Sequence, residues 1–179
     1  FLTAVQIGGD WGSFYYDLMV GDFNEDGNLD FIVLYSYSST KKIFFGDGEG
    51  GFQAQDLSLQ YSNSWYCYSA TEGDFDEDGH MDIMIGYYYY SYPSRYTRLY
   101  MWSGNGDGTF GNQQTVENYY FYYSPSRYPY FLASGDFDED GHLDVMWADS
   151  YYGNLYFKPG NGDGSFGSTQ TTGTDLAPL

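Results

Sequence analysis

The feature that most constrains how this chain can fold is a ten-residue acidic segment that occurs three times. Its pattern is G-D-F-[DN]-E-D-G-x-x-D, and it occupies residues 21–30, 73–82 and 135–144. A second motif, G-[DN]-G-[DE]-G-x-F, follows each acidic segment, at residues 46–52, 104–110 and 160–166. Two unrelated motifs that recur in the same order, about 50 to 60 residues apart, indicate a tandem repeat.

Each acidic segment has the chemistry of a calcium loop. Calcium binds about six to eight oxygen atoms, so a tight turn that presents alternate carboxylates suits it, and a central glycine permits the turn. The predicted side-chain ligands are Asp22, Asn24, Asp26 and Asp30; Asp74, Asp76, Asp78 and Asp82; and Asp136, Asp138, Asp140 and Asp144. The backbone carbonyls of Asn28, His80 and His142 complete the three sets. The chain is therefore predicted to bind about three Ca²⁺ ions, with both histidine side chains pointing outward rather than binding zinc.

Competing interpretations of the two motifs are weaker. An EF-hand needs flanking helices and a glutamate at the twelfth loop position, where this chain has Val33, Ile85 and Trp147. A phosphate-binding loop needs a following helix and lysine, which the glycine-rich motifs lack, so these motifs predict hairpin turns. Magnesium is a weaker candidate than calcium because it gives up its water reluctantly.

The segments beside the motifs favour β-strands. Residues 31–35, 83–87 and 143–147 are rich in β-branched and aromatic side chains and are bounded by turn residues. No segment shows a helical apolar period with capping residues, so the chain is predicted to be all-β. Each repeat is expected to hold four strands: one before the acidic loop, one after it, one entering the glycine-rich turn and one leaving from its phenylalanine.

Charge and cysteine content exclude several classes of protein. The formal net charge is -19 and only six residues are Lys or Arg, which argues against nucleic acid as a partner. The acidic segments hold 14 of the 25 acidic residues, so divalent cations would offset much of this charge. Cys67 is the single cysteine and is predicted to be a buried strand residue. No apolar run is long enough for a membrane-spanning helix.

On these residues the chain resembles the FG-GAP, or VCBS, repeats of integrin-α-like β-propellers. The resemblance rests on the three D-x-[DN]-x-D-G-x-x-D loops and the three glycine-rich turns, and it covers essentially the whole chain. It implies four-stranded propeller blades, a calcium ion between the first and second strands of each blade, and an extracellular or cell-surface location. We expect one repeat domain over residues 1–179, with repeats at 1–51, 52–109 and 110–165 and a final outer strand and tail at 166–179.

Three blades are fewer than the roughly four to eight of known closed propellers, so the predicted sheet edges need cover. Residues 1–7 align with the last strand of a repeat, which leaves one outer strand unmatched at the start. Three arrangements are open: a homo-oligomer that closes one ring, an open head-to-tail filament, or a piece of a longer propeller.

Tyrosine is the most unusual feature of the composition, with 23 residues that concentrate at 87–92 and 119–130. These runs are predicted to be long connections between strands that form a recognition surface, because tyrosine combines a large apolar area with a hydroxyl. The candidate ligand-contacting residues are Tyr89, Tyr92, Arg95, Tyr96, Tyr122, Arg127 and Tyr128. The alternative is that the tyrosines pack between blades or at a subunit interface.

Three classes of function follow from these features. A calcium-dependent binding or adhesion module, lectin-like in its use of aromatic side chains, would recognise glycans or extracellular proteins. A structural protein would assemble with copies of itself through its sheet edges. Catalysis is the weakest expectation, because no Ser-His-Asp or Cys-His arrangement can be placed and the repeats account for most carboxylates and both histidines.

Overall fold

The computed structural model describes residues 15–35, 41–59, 66–91, 93–122, 129–149 and 153–172. Within these ranges the chain forms three four-stranded antiparallel sheets and no helix, which confirms the prediction of an all-β protein with propeller-type blades. No helix suited to crossing a membrane therefore occurs in this part of the chain. The strands are β1 Tyr15–Gly21, β2 Asp30–Tyr35, β3 Lys41–Gly46, β4 Phe52–Leu57, β5 Tyr66–Gly73, β6 Asp82–Ser91, β7 Ser94–Trp102, β8 Gln114–Tyr122, β9 Pro129–Gly135, β10 Asp144–Asp149, β11 Leu155–Lys158 and β12 Gln170–Thr172.

Each sheet is a simple meander of four consecutive strands. The first sheet contains β1 to β4, the second β5 to β8 and the third β9 to β12. The acidic segments connect the first and second strands of each sheet, and the glycine-rich motifs connect the third and fourth. The strand that begins at Phe52 pairs with β3, from Gly46↔Phe52 to Lys41↔Leu57. The sheets thus span residues 15–57, 66–122 and 129–172, whereas the repeat limits drawn from the sequence fall within the glycine-rich turns.

The middle sheet packs on its two neighbours through alternate side chains. Ile83 and Ile85 of β6 are fully buried in a core shared with the first sheet, where they join Ile32 and Ile43. The side chain between them, Met84, faces the opposite way into a second core shared with the third sheet. Period-two alternation therefore lets one central strand serve two cores.

The third sheet completes the second core with aromatic side chains. Trp147 of β10 and Tyr156 of β11 stack at a ring-centroid distance of 5.3 Å. Lys158 and Glu117 also link the second and third sheets, with 3.2 Å between the ammonium nitrogen and a carboxylate oxygen. The two inter-sheet contacts are thus mainly apolar, with a half-buried ion pair at one of them.

The tyrosine runs are strands, so their predicted placement in loops is wrong over the described residues. Residues 87–90 belong to β6 and residues 119–122 to β8, and the β6–β7 hairpin stays paired as far as Ser91↔Ser94. Tyrosine has high β-propensity and supplies cross-strand ring contacts, which extends the ladder instead of ending it. Tyr87 and Tyr88 are buried, which agrees with the alternative that some tyrosines pack between sheets.

Two further expectations concern single segments. Cys67 lies in β5 and is buried, as predicted, and burial raises the pKa of its thiol. The outer strand proposed at residues 1–7 lies outside the described residues, as do residues 173–179 of the predicted tail.

Candidate metal loops and sheet junctions

The three acidic loops fold in the same way, through hydrogen bonds from their own backbone. In the first loop Asp22 accepts from the N–H groups of Asp26 at 3.1 Å and Gly27 at 2.9 Å. Gly27 has φ +88°, which favours glycine, and Glu25 also has a positive φ of 57°. The equivalent bonds to Asp74 and Asp136 form the second and third loops. Each loop is therefore a tight turn around its first aspartate.

The last aspartate of each loop is buried and accepts hydrogen bonds from two separate segments of its sheet. Asp82 accepts from the N–H of Phe75 and from the N–H of Gly104, both at 2.8 Å. Asp30 and Asp144 make the same pair of contacts in their own sheets. These residues were predicted only as metal ligands, yet they also hold the acidic loop against the start of the glycine-rich turn.

Carboxylates converge in the second and third loops. Asp74, Asp76 and Asp78 each offer an oxygen, and these oxygens lie within 4.8 Å of one another. In the third loop the corresponding group contains Asp136, Asp138 and the buried ninth residue Asp144, in place of the fifth residue Asp140. Such sets of hard oxygen donors fit calcium, which prefers carboxylates and tolerates irregular geometry. The donor chemistry of both loops therefore agrees with the predicted cofactor.

The first loop differs because it has Asn24 where the others have Asp76 and Asp138. The Asn24 amide donates to a carboxylate oxygen of Asp26 at 3.2 Å. This loop consequently brings together fewer negative charges, from Asp22, Asp26 and the buried Asp30. An amide oxygen can still bind calcium, but it contributes no charge to the attraction.

Burial and mutual repulsion oppose ionisation of several of these carboxyls. Burial raises the pKa of Asp82 to about 6, against the opposing effect of hydrogen bonds from Gly104 and Phe75. Burial also raises the pKa of Asp30. Loss of solvation and then the charges of Asp144 and Asp140 raise the pKa of Asp138. A bound cation would relieve this repulsion, so the loops favour positive charge.

The two histidines join one acidic loop to the next. The Nδ1 atom of His80 contacts the carboxylate of Glu25, and that of His142 contacts Glu77 in the same way. The glutamate partner raises the pKa of each imidazole. Both histidine side chains were predicted to point outward, and their contacts with glutamate were not predicted. The available signal was a glutamate at the fourth loop position in every repeat, with histidine at the seventh in two of them.

Glycine-rich turns complete the same junctions. The N–H of Gly108 donates to the Phe23 carbonyl at 2.9 Å, and the N–H of Gly164 donates to the Phe75 carbonyl at 3.0 Å. The Phe23 ring lies 6.0 Å from the ring of Phe110 in the same turn as Gly108. These two turns therefore dock on the acidic loop of the preceding sheet, so the acidic loops and the sheet junctions form one structure.

The candidate ligand surface lies on the second sheet. Tyr89 and Tyr96 face each other across β6 and β7 with ring centroids 6.0 Å apart, and Tyr96 is 5.1 Å from Tyr120 of β8. The Arg95 guanidinium lies 5.3 Å from the ring centroid of Tyr90. The structure thus brings Tyr89 and Tyr96 together on one face of the sheet, whereas Arg95 lies with Tyr90 on the opposite face. The side chain of Tyr122 and residues Tyr92, Arg127 and Tyr128 lie outside the described part.

Comparisons with known proteins give a family for part of the chain. Residues 22–85, which contain the first two acidic loops, match the FG-GAP-like repeat. A search of curated proteins found no significant match. One similar solved structure is described as the "structural basis of specific recognition of non-reducing terminal N-acetylglucosamine" by a lectin of Agrocybe aegerita. It is 15% identical with a TM-score of 0.36, and the alignment covers 87% of this chain and 51% of that one. This chain thus spans about half the length of that structure.

Proposed function

We propose that this chain, which carries an FG-GAP-like repeat at residues 22–85, is a calcium-binding module of an extracellular binding or adhesion protein. The observation that carries the proposal is the convergence of carboxylate oxygens within 4.8 Å in the second and third acidic loops. Calcium is the ion that best suits several hard oxygen donors in a flexible turn, and extracellular calcium is plentiful enough to fill sites of modest affinity.

The side chains at the first, third, fifth and ninth positions of each loop hold the ion; all are aspartates except Asn24 in the first loop. In the second loop these are Asp74, Asp76, Asp78 and Asp82. Calcium also stabilises the sheet junctions, because Phe23 and Phe75, whose carbonyls receive the next glycine-rich turn, lie inside the first two loops. At an affinity typical of extracellular modules, about 1 mM calcium would add roughly 0.4 to 1.4 kcal/mol per site.

A calcium titration tests the metal sites. We expect the thermal unfolding midpoint to rise with calcium, to rise less with magnesium, and to return to its starting value after chelation. Asp76→Asn and Asp138→Asn give the second and third loops the amide that the first loop has at Asn24, so each should lower calcium affinity at its own site on the order of tenfold. Asp56→Asn is the matched control, because Asp56 is an exposed β4 carboxylate paired with Lys42 outside the loops. A chain that binds no calcium at about 10 mM would rule the proposal out.

The candidate ligand surface on the second sheet is the proposed ligand-binding region. The Tyr89, Tyr96 and Tyr120 rings and the Arg98 guanidinium group form a half-exposed aromatic and cationic layer on one face of the second sheet, which suits sugar rings or protein partners. Ser94 and Tyr120 add hydroxyl groups that lie 3.1 Å apart. We propose binding and not catalysis, because these groups supply contact area and hydrogen bonds without a nucleophile and base.

Binding arrays test the ligand surface. The chain, with calcium present, should bind on a glycan array or to a panel of extracellular matrix proteins. Tyr96→Ala should weaken that binding at least about tenfold, as expected for an aromatic hot spot. Gln55→Ala, which shortens an exposed side chain of β4 in the first sheet, should not weaken it. The absence of binding on both arrays would remove the recognition role and leave the calcium sites unaffected.

A structural role is the second candidate function, and a separate observation favours it. Large apolar side chains are exposed on the outer sides of the first and third sheets, including Leu18, Leu29 and Phe131. Apolar surface of this kind marks interaction sites. Assembly through these sides would place the chain in a ring or a filament.

A further inference from the structure

The two junctions between sheets are built from equivalent residues. We call the side of a sheet that contacts the sheet before it in the chain its leading face, and the opposite side its trailing face. At both junctions a glycine-rich turn on the leading face donates an N–H to a phenylalanine carbonyl on the trailing face. Met81 and Leu143, on leading faces, approach Gly21 and Gly73 of the preceding sheet in the same way. One contact pattern is therefore used twice.

The first strands of neighbouring sheets add further equivalent contacts. Asp17 of β1 accepts from the N–H of Ala70 in β5 at 2.8 Å. Ser69 is four residues before Gly73, just as Asp17 is four residues before Gly21. The Ser69 hydroxyl donates to the Pro129 carbonyl of β9 at 2.5 Å. In the first two sheets, the fourth residue before the glycine that precedes the acidic loop thus faces the next sheet. Phe131 holds that position in the third sheet.

The leading face of the first sheet is apolar, and no described residue of another sheet covers it. Leu29, the equivalent of Met81 and Leu143, is 68% exposed. Phe31 stacks on Phe44 with ring centroids 4.6 Å apart, and the exposed Phe52 packs edge-on against Phe31. The exposed face also includes Leu18 and Val20 of β1. An open groove beside these residues is lined by Asn28, Leu29, Gly48, Gly50 and Phe52.

The trailing face of the third sheet shows the complementary exposure. Phe137 is 46% exposed, whereas its equivalents Phe23 and Phe75 are 3% and 2% exposed under the next glycine-rich turn. Phe131 is 82% exposed. Of the eight large hydrophobic residues exposed in the described part, six lie on these two faces, and the other two are Tyr90 and Tyr120. The exposed apolar surface is therefore concentrated where a junction would form.

We propose that the leading face of one copy of this chain binds the trailing face of a second copy, and that two copies close a ring of six sheets. The internal junctions show the required partner: a sheet with a glycine-rich turn and a large apolar residue at the eighth loop position. The described residues form three sheets, and six is the only multiple of three within the roughly four to eight blades of closed propellers, so two such sets would close a ring.

The contacts between copies follow from the internal ones. Gly50, the equivalent of Gly108, has φ +94° and nothing within 4 Å of a Cβ built on it, so the turn leaves room for the Phe137 carbonyl of the second copy. The Gly50 N–H, which interacts with the Asp47 carboxylate within one copy, would exchange that partner for the carbonyl. Leu29 packs on Gly135 of that copy. Asn28 stands where the other repeats have histidine, and its amide donates to Glu139. This contact lacks the imidazole of the histidine–glutamate pairs within the chain.

Mass measurement at several concentrations tests the ring. In calcium the chain should have twice its 20.4 kDa mass. Leu29→Asp on the leading face and Phe131→Asp on the trailing face each affect both junctions, so each should raise the dimer dissociation constant by at least about a hundredfold. Phe131 has φ +55°, which aspartate tolerates better than phenylalanine, so this change should not unfold the chain. Tyr120→Asp is the control, since Tyr120 is exposed away from both faces.

Mixing the two variants distinguishes face-to-face pairing from unspecific association. The Leu29→Asp chain keeps an intact trailing face and the Phe131→Asp chain an intact leading face, so the mixture should form a 1:1 complex although neither variant associates alone. Asn28→His should tighten the wild-type dimer by restoring the internal histidine–glutamate contact. The inference rests on junction geometry and not on ligand binding, so it can fail while the calcium-dependent module stands.

Three outcomes would overturn the proposal. One is a wild-type chain that remains a 20.4 kDa monomer at about 100 µM, well above the micromolar dissociation constants common for specific interfaces. Another is an open polymer whose mass grows with concentration. The third is a dimer that resists both face substitutions or is equally sensitive to Tyr120→Asp.

Discussion

At the residue scale, the last aspartate of each acidic loop has two tasks that conflict. Its carboxylate accepts two backbone N–H groups, which favours the charged form, but burial disfavours charge and prevails at Asp82, whose pKa rises to about 6. A calcium ion would resolve the conflict, because it supplies the positive charge that the buried carboxylate lacks. The same residue would thus couple ion binding to the attachment of the glycine-rich turn.

The first loop should gain affinity when its amide becomes a carboxylate. Asn24→Asp recreates the set found in the second loop, and the added charge should raise calcium affinity at this site on the order of tenfold. It should also lower stability without calcium, since it replaces the Asn24–Asp26 hydrogen bond with repulsion. Calorimetric titration and thermal unfolding with a chelator measure the two effects.

Asn105→Asp is the control for this prediction. It adds the same charge in a glycine-rich turn, where the Asn105 amide bonds to Thr109 at 2.9 Å outside the acidic loops. The interpretation of the first loop would be contradicted if both substitutions changed calcium affinity equally, or if Asn24→Asp weakened binding.

At the element scale, the sequence predicted whatever depends on neighbouring residues and missed what depends on packing between sheets. The strands after the acidic loops were found because β-branched runs follow each turn, and β2, β6 and β10 begin at the loops' last aspartates. The tyrosine runs were misassigned because they fall where a blade normally has short connections, although each tyrosine favours a strand. The His80–Glu25 contact spans 55 positions, so only the recurrence of glutamate and histidine at fixed loop positions, and no local pattern, indicated it.

The glycine-rich turns allow a matched test of a sheet junction. An alanine Cβ at Gly108 would lie 2.4 Å from the Phe45 ring, whereas one at Gly50 would meet nothing within 4 Å. Both glycines have positive φ, at 78° and 94°, so both substitutions introduce backbone strain. Gly108→Ala should therefore lower the free energy of unfolding by about 1 to 3 kcal/mol more than Gly50→Ala.

The comparison requires chain concentrations below those at which copies associate, since Gly50 would also be covered in the proposed ring. Denaturant unfolding gives both free energies. Equal losses at Gly108 and Gly50 would mean that strain alone matters and that the turn does not pack closely on the first sheet.

At the scale of the whole molecule, the three acidic loops have similar sequences but unequal positions. The first loop receives a glycine-rich turn from the second sheet, through Phe23 and Glu25. Among the described residues, the third loop contacts one neighbouring sheet, the one before it, through His142 and Leu143. The second loop does both, with Phe75 and Glu77 on one side and His80 and Met81 on the other. Stability in such an array is approximately a sum of repeat and nearest-neighbour terms, so a change in the middle loop acts on two junctions.

One substitution placed at three equivalent positions tests this inequality. Asp26→Asn, Asp78→Asn and Asp140→Asn each remove one charge at the fifth loop position, while the amide oxygen can still accept the N–H of residue 28, 80 or 142. In dilute monomeric protein with calcium, Asp78→Asn should lower the free energy of unfolding about twice as much as either of the others. At concentrations where the closed ring forms, every loop has a neighbouring sheet on both sides. The three substitutions should then lower the free energy of unfolding by similar amounts. Three equal losses in the monomer would show that the loops act independently, whereas a ranking that persists at all concentrations would count against ring closure.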